Sequence, residues 1–113
     1  MQRENGFSGT WRNELGSTMM LNVDGDRVQG TYESPVSTGG GPARGDLVGF
    51  ANADHISFVV NWPTGALTAW VGQLRSENGR EVIQTLWHMV RGDADVGSGE
   101  WQAVLSGTDH FHR

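Results

Sequence analysis

Residues 58–73, FVVNWPTGALTAWVGQ, decide the fold, because two apolar runs are separated by a short Pro/Gly loop and each carries a tryptophan near that loop. Alternation with a period of two residues predicts a β-hairpin here. Phe58 and Trp62 then share one face of the first strand, and Thr68 and Trp70 share one face of the second. Two indole rings that flank one hydroxyl group can line a pocket for a flat, partly polar ligand.

The same alternation continues over the rest of the chain and predicts a barrel. The hairpin should run from about residue 55 to residue 75, and further strands are expected at residues 9–15, 17–23, 27–34, 46–51, 80–90 and 103–111. These strands show no helical pattern. They favour an all-β fold, an eight-stranded antiparallel up-and-down β-barrel, since closure removes exposed edges. A two-sheet sandwich is the alternative.

Several local expectations follow from this pattern. Leu15 should point inward beside Asn13, and Leu105 should point inward beside Asp109. The segment Pro35–Gly45, PVSTGGGPARG, is predicted to be an irregular loop, and its glycines 39–41 should form a lid over a ligand.

Size and composition restrict the function. The 113 residues make one domain, 1–113. The net charge of -5 and the absence of a Lys/Arg run argue against nucleic acid and anionic membranes as partners. Without cysteine, disulfides, thiolate catalysis and cysteine-bound metals are excluded. No apolar stretch approaches the ~18 residues of a membrane span. The start, MQRENGFSG, has no signal-peptide h-region, which leaves a cytosolic protein or a leader outside this sequence.

Polar residues occupy many of the predicted inward positions. The six are Asn13, Ser17, Tyr32, Ser34, Thr68 and Asp109. A buried polar group without a partner costs about 1 to 3 kcal/mol. One interpretation is that these groups satisfy one another or hold ordered water. Their number, together with Trp62, Trp70 and Trp87 on the same faces, favours a ligand instead.

The chemistry of these groups indicates what the ligand presents. The Asn13 amide and the Ser17 and Tyr32 hydroxyls are three donors that could converge on one carbonyl oxygen. Ser34 and Asp109 can accept hydrogen bonds from N–H groups. A cyclic urea, one carbonyl flanked by two N–H groups, offers this combination.

Five pieces of sequence then match a known family in order and spacing. They are GTWRNELGST (9–18), GTYES (30–34), VVNWPTGALTAWVGQL (59–74), QTLWHM (84–89) and EWQAVLSGTDHF (100–111). From Gly9 to Phe111 the chain resembles the bacterial avidins, the streptavidin-like biotin-binding proteins.

The resemblance implies tight biotin binding and assigns roles to residues. The matches to Asn13, Ser17 and Tyr32 hold the ureido oxygen, and those to Ser34 and Asp109 take its N–H groups. The match to Thr68 contacts the thioether sulfur. The remaining matches, which contact the rings, the alkyl chain or the carboxylate, are Val36, Ser37, Thr38, Phe58, Trp62, Thr64, Trp70, Trp87, Met89 and Trp101.

The chain departs from the family pattern at one loop, and the resemblance also has implications for oligomeric state. Ala66 stands about where family members have a serine for the biotin carboxylate, in a loop one residue shorter, and Thr64 is the expected substitute. Trp101 matches a tryptophan lent to a neighbouring subunit, which implies a homo-oligomer, a homotetramer rather than a dimer. The resemblance also implies a secreted or periplasmic protein.

Other functions fit the pattern less well. An enzyme needs a nucleophile beside a base, yet all four histidines, His55, His88, His110 and His112, have outward parity. No catalytic residue, cofactor or metal is therefore predicted. Two Arg-Gly-Asp tripeptides, 44–46 and 91–93, fit ordinary loop composition better than adhesion. The main alternative is a lipocalin-like barrel that carries another small ligand, although its lumen should be more uniformly apolar.

Overall fold

The computed structural model describes residues 6–35, 41–90 and 104–113. Within these ranges the strands are β1 (Gly9–Asn13), β2 (Thr18–Asp24), β3 (Arg27–Ser34), β4 (Ala43–Asn52), β5 (His55–Asn61), β6 (Leu67–Glu77), β7 (Arg80–Val90) and β8 (Val104–His112). In the same ranges, no helix has the length and apolar character needed to cross a membrane.

The eight strands close on themselves. Each is antiparallel to the next, and β8 returns to pair with β1. The predicted eight-stranded antiparallel β-barrel is thereby confirmed, and the sandwich is excluded. The seam between β1 and β8 pairs Arg12 with His112 and Asn13 with Phe111. It therefore brings the end of the first strand beside the last strand.

The predicted β5–β6 hairpin is present, and in its register Phe58 lies directly opposite Trp70. In the turn, the Trp62 amide donates to the Ala66 carbonyl at 3.0 Å. Gly65 has φ +96°, a left-handed conformation that glycine adopts without steric cost. Both tryptophans face the interior, Trp70 buried and Trp62 half-buried.

The segment before β1 covers the barrel end at which β1 begins. Phe7 is buried, and its carbonyl accepts a hydrogen bond of 2.8 Å from Trp11 Nε1. The Arg113 guanidinium lies 4.2 Å from the Trp11 ring centroid and donates to the carbonyls of Ser8 (2.7 Å) and Gly6 (2.8 Å). The β1–β2 and β5–β6 turns lie at the opposite end of the barrel.

The prediction for Leu15 is wrong, because β1 ends two residues earlier. The chain turns after Asn13, whose backbone N–H donates to the Ser17 carbonyl oxygen at 3.0 Å. Gly16 has φ +88° and interrupts the alternation, so Leu15 is 72% exposed. Leu105 has the predicted inward parity, opposite Met89, but it is 43% exposed, since it lies near the start of β8, beyond the packed part of the interior.

The predicted start of β4 is also wrong. Ala43, Arg44 and Gly45, expected in a loop, pair with β3. Gly45 reads as a loop residue, but packing requires it: an added Cβ would lie 2.7 Å from the Asn61 carbonyl oxygen and 3.2 Å from the Trp62 ring.

This correction bears on the first Arg-Gly-Asp tripeptide. Residues 44–46 lie in β4, paired with β3, and not in the loop that was predicted there. The second tripeptide, 91–93, and glycines 39 and 40 of the predicted lid lie outside the described residues.

Candidate ligand-binding site

Asn13 ends β1, and its side-chain amide is held by the turn that follows. Oδ1 accepts the backbone N–H groups of Leu15 (3.0 Å) and Ser17 (2.9 Å). Since these bonds occupy the oxygen, the amide nitrogen faces the lumen, where it donates to the Tyr32 hydroxyl at 3.3 Å. The turn thus presents an N–H donor of fixed orientation inside the barrel.

Tyr32 stands in an aromatic cluster on the same side of the lumen. Its ring stacks on Trp70 with 4.8 Å between centroids and meets Trp62 and Phe111 edge-on, at 5.7 and 6.1 Å. Burial raises the pKa of the Tyr32 hydroxyl far above its ordinary value, while a hydrogen bond with Ser17 partly opposes the shift. The hydroxyl is therefore neutral and can donate.

Asp109 contributes a buried carboxyl group to the same part of the lumen. Its Oδ2 accepts a hydrogen bond of 3.1 Å from Trp70 Nε1. Burial raises the pKa of the Asp109 carboxyl group above its ordinary value, and the bond from Trp70 offsets part of that rise. The charge of Glu14 raises this pKa further, whereas Asn13 and His110 lower it. A further N–H donor in the cavity would stabilise the ionised form.

Thr85 holds the backbone of β8 at Asp109. The two residues are directly opposite each other, and the Thr85 hydroxyl donates to the Asp109 carbonyl oxygen at 2.9 Å. The Thr85 methyl group packs on β6 at Gly72, where an added Cβ would approach it to 2.6 Å. The carboxyl group of Asp109 is thus positioned from its backbone as well as from Trp70.

Trp62 and Thr68, on either side of the β5–β6 turn, are joined by a side-chain hydrogen bond. Trp62 Nε1 donates to Thr68 Oγ1 at 2.9 Å. Because the Thr68 oxygen accepts this bond, its hydroxyl hydrogen can be directed to a third atom. Thr68 is buried, so that atom would lie inside the cavity.

Trp87 lies on the neighbouring strand, directly opposite Trp70. Its ring packs on the backbone of Gly107, where an added Cβ would lie 2.6 Å from a ring carbon. Trp87 is half-buried, as is Met89 two residues along β7. Both therefore extend the lumen wall toward its open end.

The β5–β6 turn carries Thr64 and Ala66. The Thr64 hydroxyl oxygen accepts the Ala66 amide hydrogen at 3.3 Å. Ala66 is buried, whereas Thr64 is exposed at the rim. The Thr64 hydroxyl is thus fixed at the open end of the barrel with its hydrogen available to donate.

The polar groups of the lumen already have partners. No fully buried side-chain nitrogen or oxygen in residues 6–35, 41–90 and 104–113 lacks a hydrogen bond. A ligand would therefore meet groups that already have partners, and it would use their remaining donor and acceptor capacity or replace an existing bond. In that part of the chain, no cluster of three or more His, Cys, Asp or Glu side chains is arranged to hold a metal ion.

Comparison with known proteins shows to which family the chain belongs. The avidin family model matches residues 1–113. The chain belongs to the avidin family. It is 30% identical to avidin of Gallus gallus, over 98% of this chain and 80% of that protein. It is 32% identical to avidin-related protein 1 of Gallus gallus, over 98% and 79%.

Solved structures in the avidin family share the barrel. The rhizavidin–biotin complex is similar with a TM-score of 0.80 and 30% identity, over 93% of this chain and 97% of that one. Xenavidin is similar with a TM-score of 0.84 and 24% identity, over 98% and 99%. The second likeness concerns the fold alone.

In this avidin-family barrel the predicted site residues fall into separate groups. The buried ones are Asn13, Ser17, Tyr32, Thr68, Trp70 and Asp109. The half-buried ones are Ser34, Trp62, Trp87 and Met89. Phe58 stacks behind Trp70 at 4.9 Å, and Thr64 lies at the rim. Those outside the described residues are Val36, Ser37, Thr38 and Trp101.

Sequence reasoning missed the part played by Thr85. Its inward parity was readable, since it alternates with Leu86 and Gln84 on β7. Its partner was not, because the Asp109 carbonyl comes into reach only when β7 and β8 pair in register.

Proposed function

We propose that this chain binds biotin tightly and without chemical change in the lumen of the barrel. The observation that carries the proposal is the convergence of the Asn13 amide, the Tyr32 hydroxyl and the Asp109 carboxyl group in a tryptophan-lined cavity. Membership of the avidin family and the likeness to the rhizavidin–biotin complex support it.

The donors of the cavity suit the ureido oxygen of biotin. The Asn13 amide nitrogen and the Ser17 and Tyr32 hydroxyls would donate to this one atom. Asn13 needs no reorientation, because its oxygen is held by the turn. Donors that are oriented before the ligand arrives stabilise it without a reorganisation cost.

The acceptors of the cavity suit the two ureido N–H groups. Asp109 would accept one of them as a carboxylate, which gives the stronger, charge-assisted hydrogen bond. A carboxylate can accept several donors, so the ligand N–H adds to the bond from Trp70 instead of displacing it. Ser34, at the end of β3, would accept the other N–H group.

The rest of biotin would extend from the lumen toward the rim. Thr68 would donate its hydroxyl hydrogen to the thioether sulfur, since its oxygen already accepts from Trp62. The flat and aliphatic surfaces would pack against Trp62, Trp70, Trp87 and Met89, with Phe58 supporting Trp70 from behind. The carboxylate would meet Thr64 at the rim and Val36, Ser37 and Thr38.

The proposal has no catalytic step and no cofactor. It also includes self-association, a homotetramer favoured over a dimer, with Trp101 completing the site of a neighbouring subunit. A secreted or periplasmic location is proposed as well. These last points derive from the family resemblance.

The decisive experiment is retention on biotin-agarose that free biotin abolishes, with native mass spectrometry to count biotin molecules per subunit. Asp109→Ala should weaken binding by several kcal/mol, because a ligand N–H loses its charged acceptor. Thr108→Ala, next in the chain but facing outward and exposed, is the matched control and should bind as the parent does. An unchanged dissociation rate in Asp109→Ala would remove Asp109 from the site. A parent chain that ignores biotin would favour a carrier of another ligand.

A further inference from the structure

The peptide group that joins Asp109 to His110 is contacted by side chains on both of its sides. Its carbonyl oxygen, which belongs to Asp109, accepts a hydrogen bond of 2.9 Å from the Thr85 hydroxyl on β7. Its N–H group, which belongs to His110, donates to Oε1 of Glu14 at 3.2 Å. Glu14 directly follows β1, so the two contacts come from the two neighbours of β8 in the barrel. The backbone beside the ligand-site carboxyl group is therefore held from both directions.

The Glu14 side chain extends the seam between β1 and β8. The backbone ladder of these strands ends with Asn13 opposite Phe111. One step further in this register, residue 14 would face His110, but the chain turns after Asn13, where the Gly16 N–H donates to the Asn13 carbonyl oxygen at 3.2 Å. The carboxylate of Glu14 thus supplies an acceptor where the backbone ladder has ended.

Glu14 also places a second negative charge near Asp109. Its side chain is exposed, whereas Asp109 is buried. Burial is the main cause that raises the pKa of the Asp109 carboxyl group, and the charge of Glu14 raises this pKa further. Glu14 therefore has two effects of opposite sign on the acceptance of a ligand N–H by Asp109. Its oxygen orders the acceptor, and its charge disfavours the ionised form.

Other groups also act on Asp109 from the elements packed around it. The charge of His110, next along β8, lowers the pKa of the Asp109 carboxyl group. Tyr32 on β3 is neutral, because burial raises the pKa of its hydroxyl group. From β6 and β7 the contacts are made by uncharged groups, an indole N–H and a hydroxyl. The charged or titratable side chains that flank the seam with outward parity are Arg12 and His112.

On the basis of the proposed biotin binding, we propose that Glu14 is a positioning residue for the ligand acceptor Asp109. Its carboxylate holds the peptide group that follows Asp109, and its negative charge raises the pH below which the chain loses its ligand. Binding needs the ionised Asp109 carboxylate, so affinity is constant well above the pKa of this group and falls as pH drops through it. Without the charge of Glu14 that pKa is lower, and the fall begins at a lower pH.

Two substitutions separate the two effects of Glu14. Glu14→Gln keeps an oxygen acceptor for the His110 N–H and removes the charge, whereas Glu14→Ala removes both. With biotinamide, a ligand without a carboxyl group, Glu14→Gln should dissociate at close to the parent rate at neutral pH. On the acid side of the profile it should bind about two- to fivefold more tightly than the parent, the size of one exposed charge interaction. Glu14→Ala should dissociate about three- to tenfold faster at neutral pH, because the backbone at Asp109 is no longer held.

The matched control removes an equal charge from the other end of the barrel. Asp24→Asn changes a carboxylate at the end of β2, beside the β2–β3 turn. It should keep the parent dissociation rate and the parent pH profile. A profile that moves equally in Asp24→Asn and Glu14→Gln would reflect net charge and would overturn the specific role of Glu14.

Measurements on the ligand-free chain test the inference without biotin. Carbon NMR of the Asp109 carboxyl group reports its ionisation, and the midpoint should move to lower pH in Glu14→Gln but not in Asp24→Asn. Added salt should move this midpoint more in the parent than in Glu14→Gln, since salt screens an exposed charge. Hydrogen exchange of the His110 amide should be about tenfold or more faster in Glu14→Ala and remain slow in Glu14→Gln.

Each possible outcome decides one part of the inference. Equal Asp109 midpoints in the parent and Glu14→Gln overturn the electrostatic role. Parent-like exchange at His110 in Glu14→Ala overturns the positioning role, as does faster exchange combined with an unchanged biotinamide dissociation rate. If both ligand-free effects are present but the parent does not bind biotinamide, the link between Glu14 and Asp109 stands and the proposed biotin function falls.

Discussion

Nε1 of Trp70 donates a hydrogen bond of 3.1 Å to Oδ2 of Asp109, which lies 39 residues further along the chain. The same indole is stacked between two other rings, Phe58 at 4.9 Å and Tyr32 at 4.8 Å. Trp70 therefore connects the aromatic wall of the cavity to its carboxylate. A change at its nitrogen alone can separate these two contributions.

Trp70→Phe should keep the stacking and lose the N–H donor. The Asp109 carboxylate then loses a charge-assisted bond, and we expect biotin to dissociate about 10- to 100-fold faster, on the scale of 1.5 to 3 kcal/mol for such bonds. Stopped-flow displacement of labelled biotin measures the rate. Trp11→Phe is the matched control, because it removes an indole N–H that donates to Phe7 at the closed end. It should leave the rate unchanged, and equal acceleration in both variants would contradict the prediction.

Biotin affinity should fall with pH through the titration of Asp109. Burial raises the pKa of this carboxyl group, and a ligand N–H bond favours its ionised form. Affinity is then constant above the raised pKa and falls as pH drops through it, by up to tenfold per pH unit, because binding must release the proton. Calorimetry in buffers of different ionisation enthalpy detects that proton.

Biotinamide, which has no carboxyl group of its own, is the ligand to use in this calorimetry. Asp109→Asn should bind it more weakly at neutral pH and show no such pH dependence. A parent profile as flat as that of Asp109→Asn would show that the carboxylate does not receive the ligand N–H.

Asn13→Asp should separate the two roles of the Asn13 side chain, which are to accept hydrogen bonds in the turn and to donate one to the ligand. A carboxylate oxygen can still accept the Leu15 and Ser17 amides, so the midpoint of thermal unfolding should change little. The donor, however, is replaced by a negative oxygen facing the ligand carbonyl, and affinity should fall by about 2 to 3 kcal/mol or more. Asn13→Ala loses both functions and should be less stable as well. Full biotin affinity in Asn13→Asp would exclude the amide nitrogen from the ureido contact.

Thr85→Val should weaken biotin binding although the residue makes no contact with the ligand. The change preserves the methyl packing on Gly72 but leaves the buried Asp109 carbonyl without its donor, at a cost of about 1 to 3 kcal/mol in unfolding free energy. If Thr85 positions Asp109, the biotin dissociation rate also rises, and the pH midpoint of affinity moves. Thr85→Ser, which keeps the hydroxyl, should restore both. Reduced stability with an unchanged rate and pH midpoint would mean that Thr85 is structural only.

Arg113→Ala should destabilise the barrel without altering the ligand site. It removes the cation–π contact with Trp11 and the bonds to the carbonyls of Gly6 and Ser8. A loss of about 1 to 3 kcal/mol in the urea unfolding free energy is expected. Arg113→Lys, a charged but unbranched donor, should lose less. A parent-like unfolding free energy in Arg113→Ala would show that the segment before β1 does not need this clamp.

The parts of the fold that depend on local chemistry were readable in the sequence. The β5–β6 hairpin follows from alternating apolar residues around a Pro/Gly turn, and the register of Phe58 opposite Trp70 agrees with it. The turn at Asn78 and Gly79, both with positive φ, is likewise a local signal. Errors arose where tertiary packing overrides composition, as at Gly45, which pairs with β3 and is a glycine because no side chain fits there.

The sequence by itself determined which side chains face inward, because strand geometry alternates with a period of two whatever the strand pairs with. Asn13, Tyr32 and Asp109 were placed in the lumen on that ground and are buried there. Only the tertiary structure decided their partners. The bonds from Trp70 and Thr85 to Asp109 join residues 39 and 24 positions apart, and they exist because β7 pairs in register with β6 on one side and with β8 on the other. Periodicity is a property of one strand, whereas a hydrogen bond across the lumen is a property of several strands together.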